Sequence, residues 1–273
     1  MSNISISACV LTYNGKDRVI PTLESLKLQT YPHKELIIAD DASTDSGYTV
    51  SVIERWLKNN SEHFTNVQFI KNLNNLGIVA NIKKAVSFAK GEIIFGLGQG
   101  DMCYGPDTFS QIAEEIEKQR NNGLEDPYFW LGQYMGYTIN NDVFKPIQLY
   151  KDLPHQHKLI TTNPHKALRI NLRKWEIGGV GVVYNAKFYK DENFPLFEAP
   201  RNWEDGPTFL WALIEGHRIG TLPIMLRWYE VGTGISWEIN RKSKREKIIR
   251  LYNRIFGKLN NNYVNPNSEV NQI

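Results

Sequence analysis

The 273-residue chain is long enough to bury a sizeable core, and its 41% apolar and 22% charged residues are those of a globular protein. A net charge of +3 is too small for a nucleic-acid binder, and no apolar run approaches the roughly 20 residues of a membrane span. Two cysteines, Cys9 and Cys103, exclude a disulfide framework. The opening MSNISISACV lacks a basic-then-apolar leader, so a reduced cytoplasmic protein is expected.

Residues 4–11 (ISISACVL) alternate and then run apolar, which predicts a strand. Val19, Leu23 and Leu26 follow at helical spacing. ELIIA at 35–39 reads as a short buried strand, and Val52, Ile53, Trp56 and Leu57 as the next helix. VQFI at 67–70 is a third strand, before a helix marked by Ile82, Ala85, Val86 and Ala89. EIIFGL at 92–97 is a fourth, and Phe109, Ile112 and Ile116 predict the helix after it. Strands alternating with helices of this length imply βαβ units and a parallel sheet over residues 1–120.

The pattern then changes. YFWLGQYMGYTI and VFKPIQLY flank Asn140, Asn141 and Asp142, which predicts an antiparallel hairpin. His155, His157 and His165 fall in a polar stretch read as a loop. Without Cys or HExxH spacing, they are surface histidines rather than zinc ligands. VGVVYN at 180–185 predicts a strand, and Phe209, Leu210, Leu213 and Ile214 a helix. Residues 237–259 form a basic amphipathic helix, which either meets anionic lipid or packs its apolar stripe on the domain. Residues 260–273 read as a disordered tail. The expected organisation is one domain over 1–236, in two halves (1–120 and 121–236).

In an open parallel sheet, ligands bind beyond the carboxyl ends of the strands. Here those ends carry TYNG (12–15), DDASTDSG (40–47), NLNNLG (72–77) and GQGDMCYGPD (98–107), all polar and rich in Gly, Asn or Asp. Such a rim suits a base, a ribose and a diphosphate.

VLTYNG, LKLQTYPHKELIIADDASTD, NNLG, AKGEIIFGLGQGD and NWED, in this order, resemble glycosyltransferase family 2. The resemblance implies a GT-A type α/β fold: a mainly parallel, Rossmann-like nucleotide-binding sheet, a smaller mixed acceptor-side region and a C-terminal helix. It also implies inverting transfer of a sugar from a UDP- or dTDP-sugar to an acceptor hydroxyl, in surface polysaccharide synthesis. The acceptor is then a glycan or lipid-linked glycan, and the basic helix suggests peripheral membrane contact. A catalytically inactive sugar-nucleotide or glycan-binding protein of the same fold is the alternative.

By resemblance, Asp41 accepts the base N3–H, Asp40 fixes its own loop, and Leu11, Thr12 and Tyr13 contact the base through backbone groups and the Tyr ring. The family places two or three Asp where this chain has Gly98, Gln99, Gly100 and Asp101. Counting from the GE at 91–92 puts Gly100 at the metal position; counting back from Pro106 and Asp107 puts Asp101 there. The second register retains Asp101 as ligand for Mn2+ or Mg2+ and Gln99 as ribose partner. The family's late YRxH is here Tyr229, Glu230, Val231 and Gly232, without the His. In NWED, Asp205 is the expected catalytic base at a helix start, with Glu204 and Trp203 on the acceptor side. Gly178 and Gly179 either admit the donor sugar closely or simply turn the chain.

Overall fold

In β1 (Ile6–Thr12), Ile6, Ala8 and Val10 face one layer of helices and Cys9 faces another. A strand buried on both sides has no solvent face to alternate with, and so reads as an apolar run. The computed structural model describes residues 2–140, 143–148, 153–174, 181–190 and 205–233. β1 lies between β2 (Lys34–Asp40) and β4 (Ile93–Gly98), and β3 (Val67–Lys71) extends the sheet beyond β2, all in parallel. The connections run through α1 (Val19–Lys27), α2 (Tyr48–Lys58) and α3 (Ile78–Ser87), as the periodicity predicts. The registers Thr12↔Asp40, Asp40↔Lys71 and Leu11↔Gly98 bring the four expected rim loops out at one edge.

At the opposite edge, Glu35 ties the strand starts together. Its buried carboxylate accepts from Ser7 Oγ, from the N–H groups of Lys90 and Gly91, and from Asn66 Nδ2. Burial raises its pKa, but these hydrogen bonds outweigh burial and hold it below the ordinary carboxylate value.

The remaining elements are β5 (Met102–Cys103), α4 (Thr108–Asn121), β6 (Phe129–Asn140), β7 (Val143–Ile147), α5 (Leu153–Thr162), α6 (Pro164–Lys174), β8 (Val182–Asn185), α7 (Ala186–Lys190), α8 (Asp205–Ile214) and β9 (Gly220–Glu230). The sheet order is β3-β2-β1-β4-β8-β6-β9-β5, with β7 paired to β6. β6 and β9 run in the same direction as β1–β4, whereas β8, β5 and β7 oppose them. The fold is therefore α/β with mostly parallel strands. One core packs α1, α2 and α4 on one face, and the other packs α3 and α5–α8 on the opposite face.

The predicted hairpin is β6–β7, and the strand expected at 180–185 is β8. One expectation fails. The stretch with the three histidines is not a loop but α5 and α6: Ile160, Ala167 and Leu168 are buried, at the spacing of two short amphipathic helices. His155 and His165 are on the surface, but His157 is buried. β5, β9 and α7 were not foreseen. The basic helix at 237–259 and the tail at 260–273 lie outside the described residues.

Candidate active site

The first two rim loops are sewn to each other. Asn14 N–H donates to Ser43 Oγ at 2.8 Å, Thr44 N–H to Asn14 Oδ1 at 2.7 Å, and Lys16 N–H to Thr49 Oγ1 at 2.9 Å. Asn14, Lys16, Ala42 and Ser46 have φ between 48° and 60°, the positive-φ non-glycine residues of the described chain. Left-handed backbone at such residues persists only where surrounding bonds impose it, and it concentrates at ligand sites.

Asp40 holds its own loop as expected, accepting from Ser43 N–H at 2.9 Å and from the Ser43 hydroxyl. Asp41 reaches further. It is 4% exposed; Oδ1 accepts from Leu76 N–H (2.8 Å) and Asn72 Nδ2 (3.0 Å), and Oδ2 from Gly77 N–H (2.8 Å). The carboxylate thus fastens NLNNLG to the rim. An ionised carboxylate offers about four acceptor positions, so three such donors leave room for another.

Gln99 locks the fourth loop to the first. Its Oε1 accepts from Thr12 Oγ1 (2.6 Å) and Tyr13 N–H (2.9 Å), and Nε2 donates to Tyr13 O (3.1 Å). Leu11 O accepts Gln99 N–H, and Thr12 O accepts Asp41 N–H. The backbone of residues 11–13 therefore braces the rim, and the Tyr13 ring, 42% exposed, is the part of that segment open to a ligand.

After Gln99 the chain turns sharply. Gly100 has φ +95°, its carbonyl accepts the Tyr137 hydroxyl, and Asp101 N–H returns to Gly98 O at 3.1 Å. Asp101 is 9% exposed and accepts Glu230 N–H on Oδ1 at 3.1 Å. Burial pushes its pKa up to about 6, against the opposing pull of Arg227 and of the Glu230 and Gly98 backbone. Arg227 is itself buried, over the Phe95 ring and donating to Val182 O at 3.1 Å. Glu230 and Arg18, which sequence reasoning did not select as site residues, form an ion pair beside Gly100. In the late motif the missing His falls at Gly232, so its absence gives no signal for Glu230.

Asp205 is the first residue of α8, as the motif predicts. Gly178, Gly179, Trp203 and Glu204 lie outside the described residues.

A family model described as Glycosyl transferase family 2 matches residues 7–174, more than half of the chain and all four rim loops. The chain belongs to glycosyl transferase family 2. Residues 7–174 thus carry a glycosyltransferase family 2 domain, and the sheet is similar to that of GT-A structures. Over 120 residues it is 28% identical to EpsE of Bacillus subtilis (strain 168), itself assigned as a glycosyltransferase; the match spans 44% of this chain and 41% of that relative. Among solved structures, S. aureus TarS 1–349 in complex with UDP-GlcNAc superposes with a TM-score of 0.64 at 19% identity, over 94% of this chain and 68% of that one. The mannosyltransferase PcManGT of Pyrobaculum calidifontis, in complex with GDP-Man and Mn2+, gives 0.57 at 16%, over 95% and 68%.

A glycosyltransferase of this fold invites a divalent cation at residues 98–101, and the residues present fit one poorly. Asp101 is a single carboxylate, turned inward onto the Glu230 backbone. Among the described residues, no group of three or more His, Cys, Asp or Glu is placed to hold a metal ion. Among the same residues, no helix is long and apolar enough to cross a membrane.

Proposed function

We propose that the chain transfers a sugar, with inversion, from a uridine or thymidine diphosphate sugar to an acceptor hydroxyl on a glycan or lipid-linked glycan of a surface polysaccharide. The observation that carries this reading is the rim itself: the Asp41 carboxylate with an acceptor position to spare, beside the exposed Tyr13 ring and the braced 98–101 turn. A pyrimidine N3–H needs an acceptor of this kind, and an aromatic face suits a base. The UDP-GlcNAc complex of TarS favours uridine; the GDP-Man complex of PcManGT makes guanosine the outcome to be tested against.

In this reading, Asp205 accepts the proton of the attacking hydroxyl, and Glu204 and Trp203 shape the acceptor side. Gly178 and Gly179 allow the donor sugar to approach. Membrane contact, if the acceptor is lipid-linked, falls to the basic segment at 237–259. The catalytic site then faces the cytoplasm, where nucleotide sugars are made.

A thermal-shift screen of UDP, dTDP and GDP sugars tests the donor. Binding at 100 times Kd adds about 2.7 kcal/mol of stability, so the true base stands out, and stabilisation by GDP sugars alone would retire the uridine assignment. Asp205→Asn then tests the chemistry. The amide cannot take a proton, and a positioned base contributes about 10²–10⁴ in rate. The variant is expected to bind donor normally and lose transfer by that factor; near-normal turnover would remove Asp205 from the mechanism.

A further inference from the structure

Position 100 has no side chain, yet the place of one is filled. An ideal Cβ on Gly100 would run into Glu230 Oε2 and would lie 3.2 Å from Arg18 Nη2. Glu230 arrives from the end of β9, and Arg18 from the 3-10 turn (Lys16–Arg18) that follows TYNG. Arg18 donates to Glu230 Oε2 through Nε at 3.2 Å and through Nη2. The pair is lopsided: the carboxylate side chain is 12% exposed, whereas the guanidinium side chain keeps 41%. The anion is seated within the rim and the cation faces outward.

We infer that Arg18, oriented by Glu230, supplies the positive charge that meets the donor's diphosphate, at the position where the resemblance leads one to expect a carboxylate-bound divalent cation. This rests on the nucleotide-sugar reading above. A guanidinium is permanently charged, and its planar fork matches two phosphate oxygens at once. Nε and one Nη2 hydrogen engage Glu230, and the other donors remain for phosphate. Glu230 acts through Arg18 as a positioning residue. Its carboxylate fixes the fork before the donor arrives, so little side-chain freedom is lost on binding.

During transfer, the bond from the acceptor oxygen to the anomeric carbon forms as the bond from that carbon to the diphosphate oxygen breaks. The electron pair leaves on the diphosphate, and the acceptor proton passes to the carboxylate base. Negative charge thus grows on the leaving oxygen in front of donors already in place, which is where preorganised hydrogen bonding lowers a barrier most. A glycine at position 100 fits the same logic, because any larger residue there would displace the pair.

The test measures binding of UDP, UMP and uridine to the 273-residue chain by calorimetry, in excess chelator and with added Mn2+. The wild type is expected to bind UDP in chelator, with little gain from Mn2+. Arg18→Ala should weaken UDP about 10–100-fold, the size of a charge-assisted bidentate contact, and leave uridine unchanged. Arg18→Lys keeps the charge without the fork and should recover only part of the loss. Glu230→Gln should weaken UDP less than Arg18→Ala and again spare uridine. UDP affinity in the wild type that vanishes in chelator and returns with Mn2+ would overturn the inference, whether or not Arg18→Ala folds. UDP affinity unchanged in a folded Arg18→Ala would also overturn it. A wild type that binds no nucleoside diphosphate under either condition would instead remove the donor reading beneath it.

Discussion

Asp40 and Asp41 are adjacent carboxylates with different reach. The Asp40 carboxylate bonds within its own turn, whereas the Asp41 carboxylate collects donors from residues 72–77, across the gap to the next rim loop. Asp41→Asn is therefore expected to act twice. The amide would set a donor against the Leu76 or Gly77 N–H, leaving a buried group unsatisfied at a cost of about 1–3 kcal/mol. It would also disturb the acceptor position proposed for the base, so affinity for uridine itself should fall, unlike the result expected for Arg18→Ala. Denaturant unfolding and uridine calorimetry on one preparation separate the two effects. Lost stability with unchanged uridine affinity would make Asp41 a loop fastener and nothing more. The sequence made the two acids visible as acceptors beyond a strand. It did not show which donors meet them, because those donors follow from the register of β2 against β3, a long-range pairing. Arg18 and Glu230, 212 positions apart, were illegible for the same reason.

At the scale of elements, the parallel strands were readable because burial on both faces writes them as apolar runs. β9 was not. It carries Pro223 and Arg227 within GTLPIMLRWYE, and a proline normally argues against an interior strand. The structure accommodates Pro223 where the β6–β9 pairing slips, between Leu131↔Thr221 and Gln133↔Met225, and leaves it exposed. Arg227 donates from Nη2 to Val182 O and lies over the Phe95 ring, contacts that no local pattern announces. The turn from β4 into β5 depends on β9 in turn, since Gly100 and Asp101 both meet Glu230. Gly100→Ala should expose that dependence. The new methyl would need φ +95° and would drive into the Glu230 carboxylate. A strained non-glycine residue alone costs about 1–3 kcal/mol. The expected result is a fall in stability of at least that size, together with weaker UDP binding as Arg18 loses its brace. Wild-type stability and wild-type UDP affinity in Gly100→Ala would show that the turn and the ion pair adjust independently of each other.

Across the whole molecule, helices cover both faces of the sheet, and α5 and α6 close one of them. That layer seals His157, whose pKa is driven from 6.5 down to about 4 by burial. A histidine neutral in the folded state and protonatable in the unfolded one makes stability depend on pH. Between about 6.5 and about 4 the unfolded chain holds the extra proton, so this contribution is complete above pH 6.5 and is lost as the pH falls through that window. At 1.36 kcal/mol per pH unit, the loss amounts to at most about 3 kcal/mol. Asp101 works the other way over nearly the same range. Its pKa rises from 3.8 to about 6 on folding, so the folded chain holds the extra proton and acidification favours it. The wild-type profile from pH 6.5 to 4 is therefore expected to be flatter than either group alone would give. His157→Leu removes one of the opposing slopes, and its stability should hold or rise on acidification, down to the pH at which carboxylates such as Glu35 protonate. Urea unfolding at half-unit pH steps, taken as the difference between wild type and His157→Leu, isolates the histidine from the aspartate. That difference should shrink in favour of the variant by up to about 3 kcal/mol between pH 7 and pH 4. A difference constant across the range would mean that His157 takes up its proton as readily in the folded chain as in the unfolded one, and that α5 and α6 do not seal this face of the sheet from water.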